Sequence, residues 1–372
     1  MMFKGVVDFI QSLSATSIEV YEFKQSEVRR GRLLKNSSLN DLIKSSSKLS
    51  FNGYMLAHAV VKADYLDQRN LIMPGIGFLL QACNIIDLSV SSIELKQRAS
   101  KVLNDFSLTS MVGRVGQGLA ILYAHHLGLK FAAHLRSHVE SLPSGSTAAR
   151  HRQEAMADFL FANDKKTILV ESKGSFSQKK NIPSEIKKVL KLALEKQVDP
   201  WMTYLQPAPS NGYVFYSCLR EKGGEPSAMF VVDPEGGAPE TSDIEQIVRE
   251  NYGAWFRAMG MADSAERLLN PLLTPSTPVE YLFLIFEINS RKYAFPDFLM
   301  FPGYCGVAMG IDLYVLNAIS SVIYSDNKSL QELLQGFDTS SEFFENISIF
   351  PDGSVFGLIS VENLSSCEKI SL

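Results

Sequence analysis

The stretch from Glu154 to Phe176, EAMADFLFANDKKTILVESKGSF, constrains the fold more than any other. Two short apolar runs, Phe159-Leu160-Phe161 and Ile168-Leu169-Val170, flank Asn163-Asp164-Lys165-Lys166. Short apolar runs around an Asn/Asp turn read as a β-hairpin. With the turn centred on Asp164 and Lys165, Phe161 faces Ile168, Leu160 faces Leu169, and Asp158 falls opposite Glu171. Residues paired across strands have Cβ atoms about 4.5–5.5 Å apart. Two carboxylates that close repel unless a cation or a proton sits between them. Lys173 follows Glu171 by two positions, so it projects from the same face. An Asp, a Glu and a Lys thus converge at one end of a hairpin, a candidate metal site with a lysine beside it. A slip of one residue would move the aspartate to the other face.

Asp158, twelve intervening residues and then Glu171-Ser172-Lys173 resemble the signature of the PD-(D/E)XK nucleases, the restriction-endonuclease-like superfamily. That family has a core of order α-β-β-β-α-β. Pattern along this chain predicts a helix over 110–127, a strand over 129–135, the two hairpin strands, a helix over 185–205, and strands over 211–219 and 228–232. The resemblance covers residues 108 to 235. Ala157 stands at the family's proline, and Gln117 stands where many members carry a metal-site glutamate. Gln197 and Trp201 are similar to the Gln-x-x-x-Tyr of the RecB-like exonuclease branch, with Trp replacing Tyr. Residues at i and i+4 share a helix face; an ordinary amphipathic helix would carry the same pair.

The resemblance implies Mg²⁺-dependent hydrolysis of phosphodiester bonds, with Mn²⁺ as the alternative metal and DNA as the substrate. Asp158 and Glu171 would be the carboxylate ligands, and the backbone carbonyl of Ser172 a further one. Lys173 would orient or help deprotonate the attacking water and stabilise charge on the phosphate. Gln117 and Gln197 would assist. Restriction or anti-phage defence is the setting such a protein would fit. The alternative is a nuclease-like module that binds nucleic acid or protein without cleaving.

Two other Glu-x-Lys tripeptides, Glu22-Phe23-Lys24 and Glu94-Leu95-Lys96, compete for the same reading. Around Glu94 the apolar Ile93, Val102, Leu103 and Phe106 fit a helix. Glu22 follows the strand-like SIEVYEF, with Asp8 upstream, but it lies too near the start to follow the other core elements. Only Glu171 has the full context.

At 372 residues the expectation is two or three domains. Residues 1–105 read as a mostly helical accessory region, 106–237 as the core, and 238–372 as an α+β accessory region. The overall class is α/β (α+β), a mixed central sheet flanked by helices. The Pro/Gly-rich DPEGGAPETS (233–242) and the proline-rich 270–278 mark breaks, and Pro74-Gly75 is expected to break a helix. Net charge of −4 excludes a uniformly basic nucleic-acid coat. Yet nine lysines against three glutamates lie between Lys165 and Lys196, a candidate phosphate-tracking surface. Arg150 and Arg152, after the loop 141–149, are further candidates for phosphate contact.

Gly113, Gly116 and Gly118 lack the spacing and the Lys-Ser/Thr pair of a phosphate loop, and are expected to let a helix approach the sheet closely. Six histidines lie between His58 and His151 without zinc spacing, and read as surface or interface residues. Four scattered cysteines read as reduced, mostly buried thiols of a cytoplasmic protein, and no apolar run is long enough for a membrane span. The Phe- and Tyr-rich last hundred residues predict strands at YLFLIFEI and RKYAF and a hairpin around Pro351-Asp352-Gly353. A protein trigger or a homo-oligomer would act through these flanking regions.

Overall fold

The computed structural model describes residues 15–31, 38–64, 72–82, 84–88, 90–176, 182–234, 243–270, 278–296, 298–301, 305–324, 329–337, 342–344 and 346–372. The central hairpin forms in the register read from sequence: Phe159 pairs with Val170, Leu160 with Leu169, and Phe161 with Ile168. Asn163 makes the turn, its Oδ1 accepting the N–H groups of Lys165 and Lys166 at 3.0 Å each. Such Asx turns replace backbone pairing where a chain reverses.

Seven strands form the main sheet: β1 (Thr16–Lys24), β2 (Ile43–Phe51), β3 (Phe131–His134), β4 (Phe159–Ala162), β5 (Thr167–Phe176), β6 (Asn211–Leu219) and β7 (Ala228–Asp233). Their order is β2-β1-β7-β6-β5-β4-β3. Neighbours are antiparallel except β5 with β6 and β1 with β7, which run parallel. The helices that matter to the site are α1 (Gly53–Asp64), α2 (Asp105–His126), α3 (Pro183–Ala193), α4 (Asp199–Tyr204), α5 (Ile244–Ala258) and α6 (Leu313–Ile323). The protein is thus mixed α/β, a seven-stranded sheet flanked by helices.

Helix α2 starts at Asn104, whose side chain accepts the N–H of Ser107 at 2.8 Å. It lies on β5 at a glycine contact. A Cβ on Gly174 would stand 2.3 Å from the carbonyl oxygen of Val112, and one on Gly116 would stand 2.9 Å from Gly174 Cα. No side chain fits there, so the glycines do set the closeness of helix to sheet. Gly118 plays the same part toward Val60 of α1. Strand alternation then turns Glu171 and Lys173 to the opposite face. That face is covered from α3 to α4, with Val198 seated over Gly212 of β6.

The described part of 1–105 holds more helix than strand, yet it also supplies two nine-residue strands to the main sheet, because β1 finds a parallel partner in β7. Two expectations are corrected. Pro74 and Gly75 lie inside a helix, Ile72–Ala82, where proline in the first turn lacks no needed bond. Glu94 and Leu95 form a two-residue strand rather than a helix. One apolar cluster runs from Ile18 through Phe215 to Leu372, so N-terminal, central and C-terminal segments share a core.

The C-terminal region carries a second sheet of eight strands. It includes the two expected strands, Glu280–Ile288 and Arg291–Phe295, which pair with each other, and the expected hairpin, Ile347–Ile349 paired with Ser354–Ser360. The turn of the latter inserts Asp352 into the core, where Lys62 pairs with it. Neither side chain is more than 5 % exposed. Asn251 Nδ2 donates to Asp352 at 2.8 Å, and Asn251 Oδ1 accepts the N–H of Ala132 in edge strand β3 at 3.1 Å.

Candidate active site

Five residues singled out from sequence converge where β4 begins and β5 continues past it. Glu171 is 1 % exposed; its Oε1 pairs with Lys173 Nζ and its Oε2 is buried without a partner. Asp158 precedes the first paired residue of β4 and accepts the N–H of Ser172 on Oδ2 at 2.9 Å. Because β4 stops at Phe159, both layers reach this corner: Gln117 of α2 lies beside Asp158 and Gln197 beside Glu171, each amide favouring the ionised carboxylate. Lys173, more than a third exposed, forms the mouth.

The electrostatics follow from burial and crowding. Burial, then the charge of Asp158, push Glu171 up to about 8 against the pull of Lys173 and Gln197. Burial also raises Asp158, opposed by the Ser172 N–H, Lys173 and Gln117. Two carboxylates share one lysine, so the corner is short of positive charge when both ionise.

Among the described residues no group of three His, Cys, Asp or Glu could hold a metal. Mg²⁺ does not require three. It binds through one or two carboxylates plus waters and substrate phosphate. A carboxylate pair, Glu171 buried and Asp158 half-buried, with one oxygen unpartnered therefore fits a hard divalent cation. Ser172 contributes its N–H to Asp158, a contact the sequence did not disclose, and its Oγ is buried without a partner.

The chain entering Asp158 is held in place. Trp201 Nε1 donates to the Ala155 carbonyl at 2.8 Å, and Gln197 Nε2 to the Met156 carbonyl at 2.9 Å. Gln197 lies in a π-helical turn, Leu194–Val198, between α3 and α4. Such turns recur at functional sites. The residues resembling Gln-x-x-x-Tyr thus act on the backbone just before the aspartate. Arg29 steadies α4 by donating twice to Asp199, at 2.7 and 2.8 Å. Trp201→Phe keeps the bulk but strands the Ala155 carbonyl, and should cost about 1–2 kcal/mol. If the clamp positions Asp158, the Mg²⁺ concentration giving half-maximal thermal stabilisation should also rise. A lower melt with an unmoved metal midpoint would reduce Trp201 to packing.

Other candidates fall elsewhere. Glu22 accepts from Ser45 and from Tyr123 at 3.0 Å, and Glu94 meets Lys222 at 3.6 Å. Asp8, Lys179, Lys180 and Cys83 lie outside the described residues. The lysine surplus does not all ring the site. Lys165 and Lys166 sit at the hairpin turn, the far end of β5 from Lys173, Lys187 is buried, and Lys191 meets Glu195 at 3.6 Å. Lys188, Lys196, Arg150 and Arg152 are exposed.

The histidines are corrected as well. His58, His125 and His138 are buried, and His58 stacks on Phe350 with centroids 3.8 Å apart. Burial lowers His125 and His134 to about 4. Cys218 is buried and Cys367 exposed, both free. No described helix is long and apolar enough to cross a membrane.

No protein-family model matches the chain, and neither does any curated protein or solved structure.

Proposed function

We propose that the protein is a metal-dependent nuclease acting on DNA, with Asp158, Glu171 and Lys173 as its reactive centre. The observation that carries this is the convergence of Asp158, Glu171, Lys173, Gln117 and Gln197 on one buried corner with Glu171 Oε2 unpartnered. The order of elements supports it: helix α2, strand β3, two short helices (Leu135–Ser141 and Thr147–Arg150), the β4–β5 hairpin, helices α3 and α4, then β6 parallel to β5. Apart from the two short helices, this order resembles the α-β-β-β-α-β core that the sequence suggested.

Asp158 and Glu171, with the Ser172 carbonyl, would hold Mg²⁺ or Mn²⁺. The metal supplies a Lewis acid for the phosphate and a bound water of lowered pKa. Lys173 at the mouth leaves Glu171 for the phosphate oxygen or the attacking water, and stabilises negative charge there. Gln117 and Gln197 orient the two carboxylates through their amides. Trp201 holds the entering strand. A second reading, a non-cleaving binding module, is favoured by one observation: the residue on α2 facing Asp158 is an amide, which adds no charge.

Purified protein is tested on supercoiled, linear and single-stranded DNA and on RNA, each with Mg²⁺, Mn²⁺ or EDTA. Cleavage of DNA that EDTA stops is expected, with Lys173→Ala losing roughly 10³-fold or more in rate while retaining metal-dependent stabilisation. Wild-type protein that cleaves nothing and melts alike with and without metal would hand the site to the second reading. RNA cut in preference to DNA would move the substrate.

A further inference from the structure

We propose that a cleft beside the main sheet is a ligand site, one that takes a compact apolar molecule through a hydrogen bond from its hydroxyl or amino head to Nε2 of His138. The cleft opens between the helix Leu135–Ser141, the starts of β5 and α5, and the turn that leaves α4. Its volume is about 100 Å³. An apolar cavity of about 150 Å³ holds a benzene, so this one takes a body of about five heavy atoms.

The decisive feature is His138. It is 8 % exposed, and its Nδ1 lies 2.9 Å from Oε2 of Glu250, which is buried as well. Oε1 of that carboxylate accepts from Ser141 Oγ at 3.1 Å and from Gln246 Nε2 at 2.9 Å. A carboxylate already gathered by two donors accepts from the imidazole too, which fixes the Nδ1–H tautomer and leaves a lone pair on Nε2. Among the described residues nothing hydrogen-bonds that lone pair. At His58 and His125 the unpartnered Nε2 is shut inside the core. His138 instead lines the cleft, and with Nδ1 turned to Glu250, Nε2 is the ring nitrogen left to face it.

The rest of the cleft selects the ligand. Leu142, Leu160, Leu205, Pro207 and Ile247 give it apolar walls. Its donors are already spent: Gln246 turns its amide N–H groups to Glu250 and Ser141, at 2.9 and 3.5 Å, and Gln206 donates to the Thr203 carbonyl at 3.4 Å. Thr167 is 1 % exposed and has a partner of its own. Asp243, exposed, caps α5 by accepting the N–H of Gln246 on Oδ1 at 3.1 Å and adds a negative charge to the lining. A buried acceptor and an exposed carboxylate fit a donor head, whereas an anion would meet lone pairs and like charge. An imidazole acceptor among apolar walls is the usual plan of a small-molecule site, a few polar groups orienting an apolar body. The shared chemistry is a small aliphatic ring or branch carrying one O–H or N–H donor.

This inference does not rest on the nuclease reading, and the test separates them. Full-length protein, in EDTA, is titrated with cyclopentanol, cyclopentylamine, cyclopentane and cyclopentanecarboxylate. Binding is read from the rise in melting temperature and from the Nε2 resonance of His138 in histidine-labelled protein, assigned with His138→Phe. Saturable binding of the alcohol or the amine is expected, with the His138 resonance moving. Cyclopentane should bind roughly tenfold more weakly, as loss of one hydrogen bond predicts, and the carboxylate more weakly still. Leu142→Trp fills the cleft while sparing the His138–Glu250 pair, and should abolish binding even where His138→Phe fails to fold. Tighter binding of the amine assigns the head to a cation drawn by Asp243, and tighter binding of the alcohol to a neutral donor; either supports the site. Cyclopentane or the carboxylate binding as tightly as the alcohol, a His138 resonance that stays put at saturation, binding that survives Leu142→Trp, or no binding of any probe overturns it. DNA cleavage is scored separately, so a failed cleft leaves the nuclease reading standing, and the reverse.

Discussion

Glu171→Gln is expected to abolish cleavage and to erase stabilisation by Mg²⁺, while making the metal-free protein more stable above neutral pH. The folded protein holds Glu171 near 8, against an ordinary value of 4.5. Below the ordinary value both folded and unfolded chains carry the proton. As pH rises toward 8, the unfolded chain releases it and the folded chain does not. Stability then falls by about 1.4 kcal/mol per pH unit, to a total of up to roughly 5 kcal/mol. Glutamine does not titrate, so the variant lacks this slope. Mg²⁺ needs the ionised carboxylate and so competes with the proton. In wild type the Mg²⁺-induced rise in melting temperature should therefore grow as pH approaches 8, and in the variant it should be absent at every pH. A variant that still cleaves would displace the reactive centre from Glu171.

The second large effect lies outside the site, at Lys62 and Asp352. Burial alone would raise the Asp352 carboxyl, but Lys62, His125 and Ser354 hold it well below the usual range. Lys62→Met or Asp352→Asn leaves one charge buried without its partner and should cost about 3–5 kcal/mol. The double variant Lys62→Met with Asp352→Asn should recover much of that, since no buried charge remains. Denaturant unfolding of all three variants measures the difference. A double variant no better than the sum of the singles would contradict the pairing. Acid should act in the same direction. The depressed Asp352 contributes stability above the ordinary carboxylate value of 3.8, lost as pH falls through its folded value. His58, His125 and His134, kept neutral by burial, add to the loss from 6.5 downward. Set against Glu171, which opposes high pH, the metal-free protein should be most stable near 6.5.

The hairpin and its carboxylates were legible because everything that decides them is local. Alternation fixed which side of Phe159–Phe161 faces which side of Ile168–Val170, and Asn163 fixed the turn. The glycines of α2 were legible for the same reason: their spacing excluded a phosphate loop and left close packing. The pairing of β1 with β7 was not, since a parallel partner lies far along the chain and leaves no periodic mark at either end. Nor was the burial of His58, which depends on Phe350 and Ser348 arriving from the C-terminal region. Sequence flagged Gln197 and Trp201 as a pair on a helix face. That they act on the carbonyls of 155 and 156 required the π turn, which no local pattern announces.

The parallel join of β1 to β7 also sets a clock on synthesis. Glu19 pairs with Ala228, and Lys24 with Asp233. Strand β1 must therefore wait for roughly 200 further residues before its inner neighbour exists, an interval of about 10–40 s at ordinary elongation rates. Pairings this distant close slowly. Until then the alternately apolar Ile18, Val20 and Phe23 stand on a nascent ribbon with β2 as their sole strand partner. The ribosome-bound chain thus carries a sticky flank until β7 emerges, and the corner of Asp158, Glu171 and Lys173 can be complete while the sheet that supports it is not.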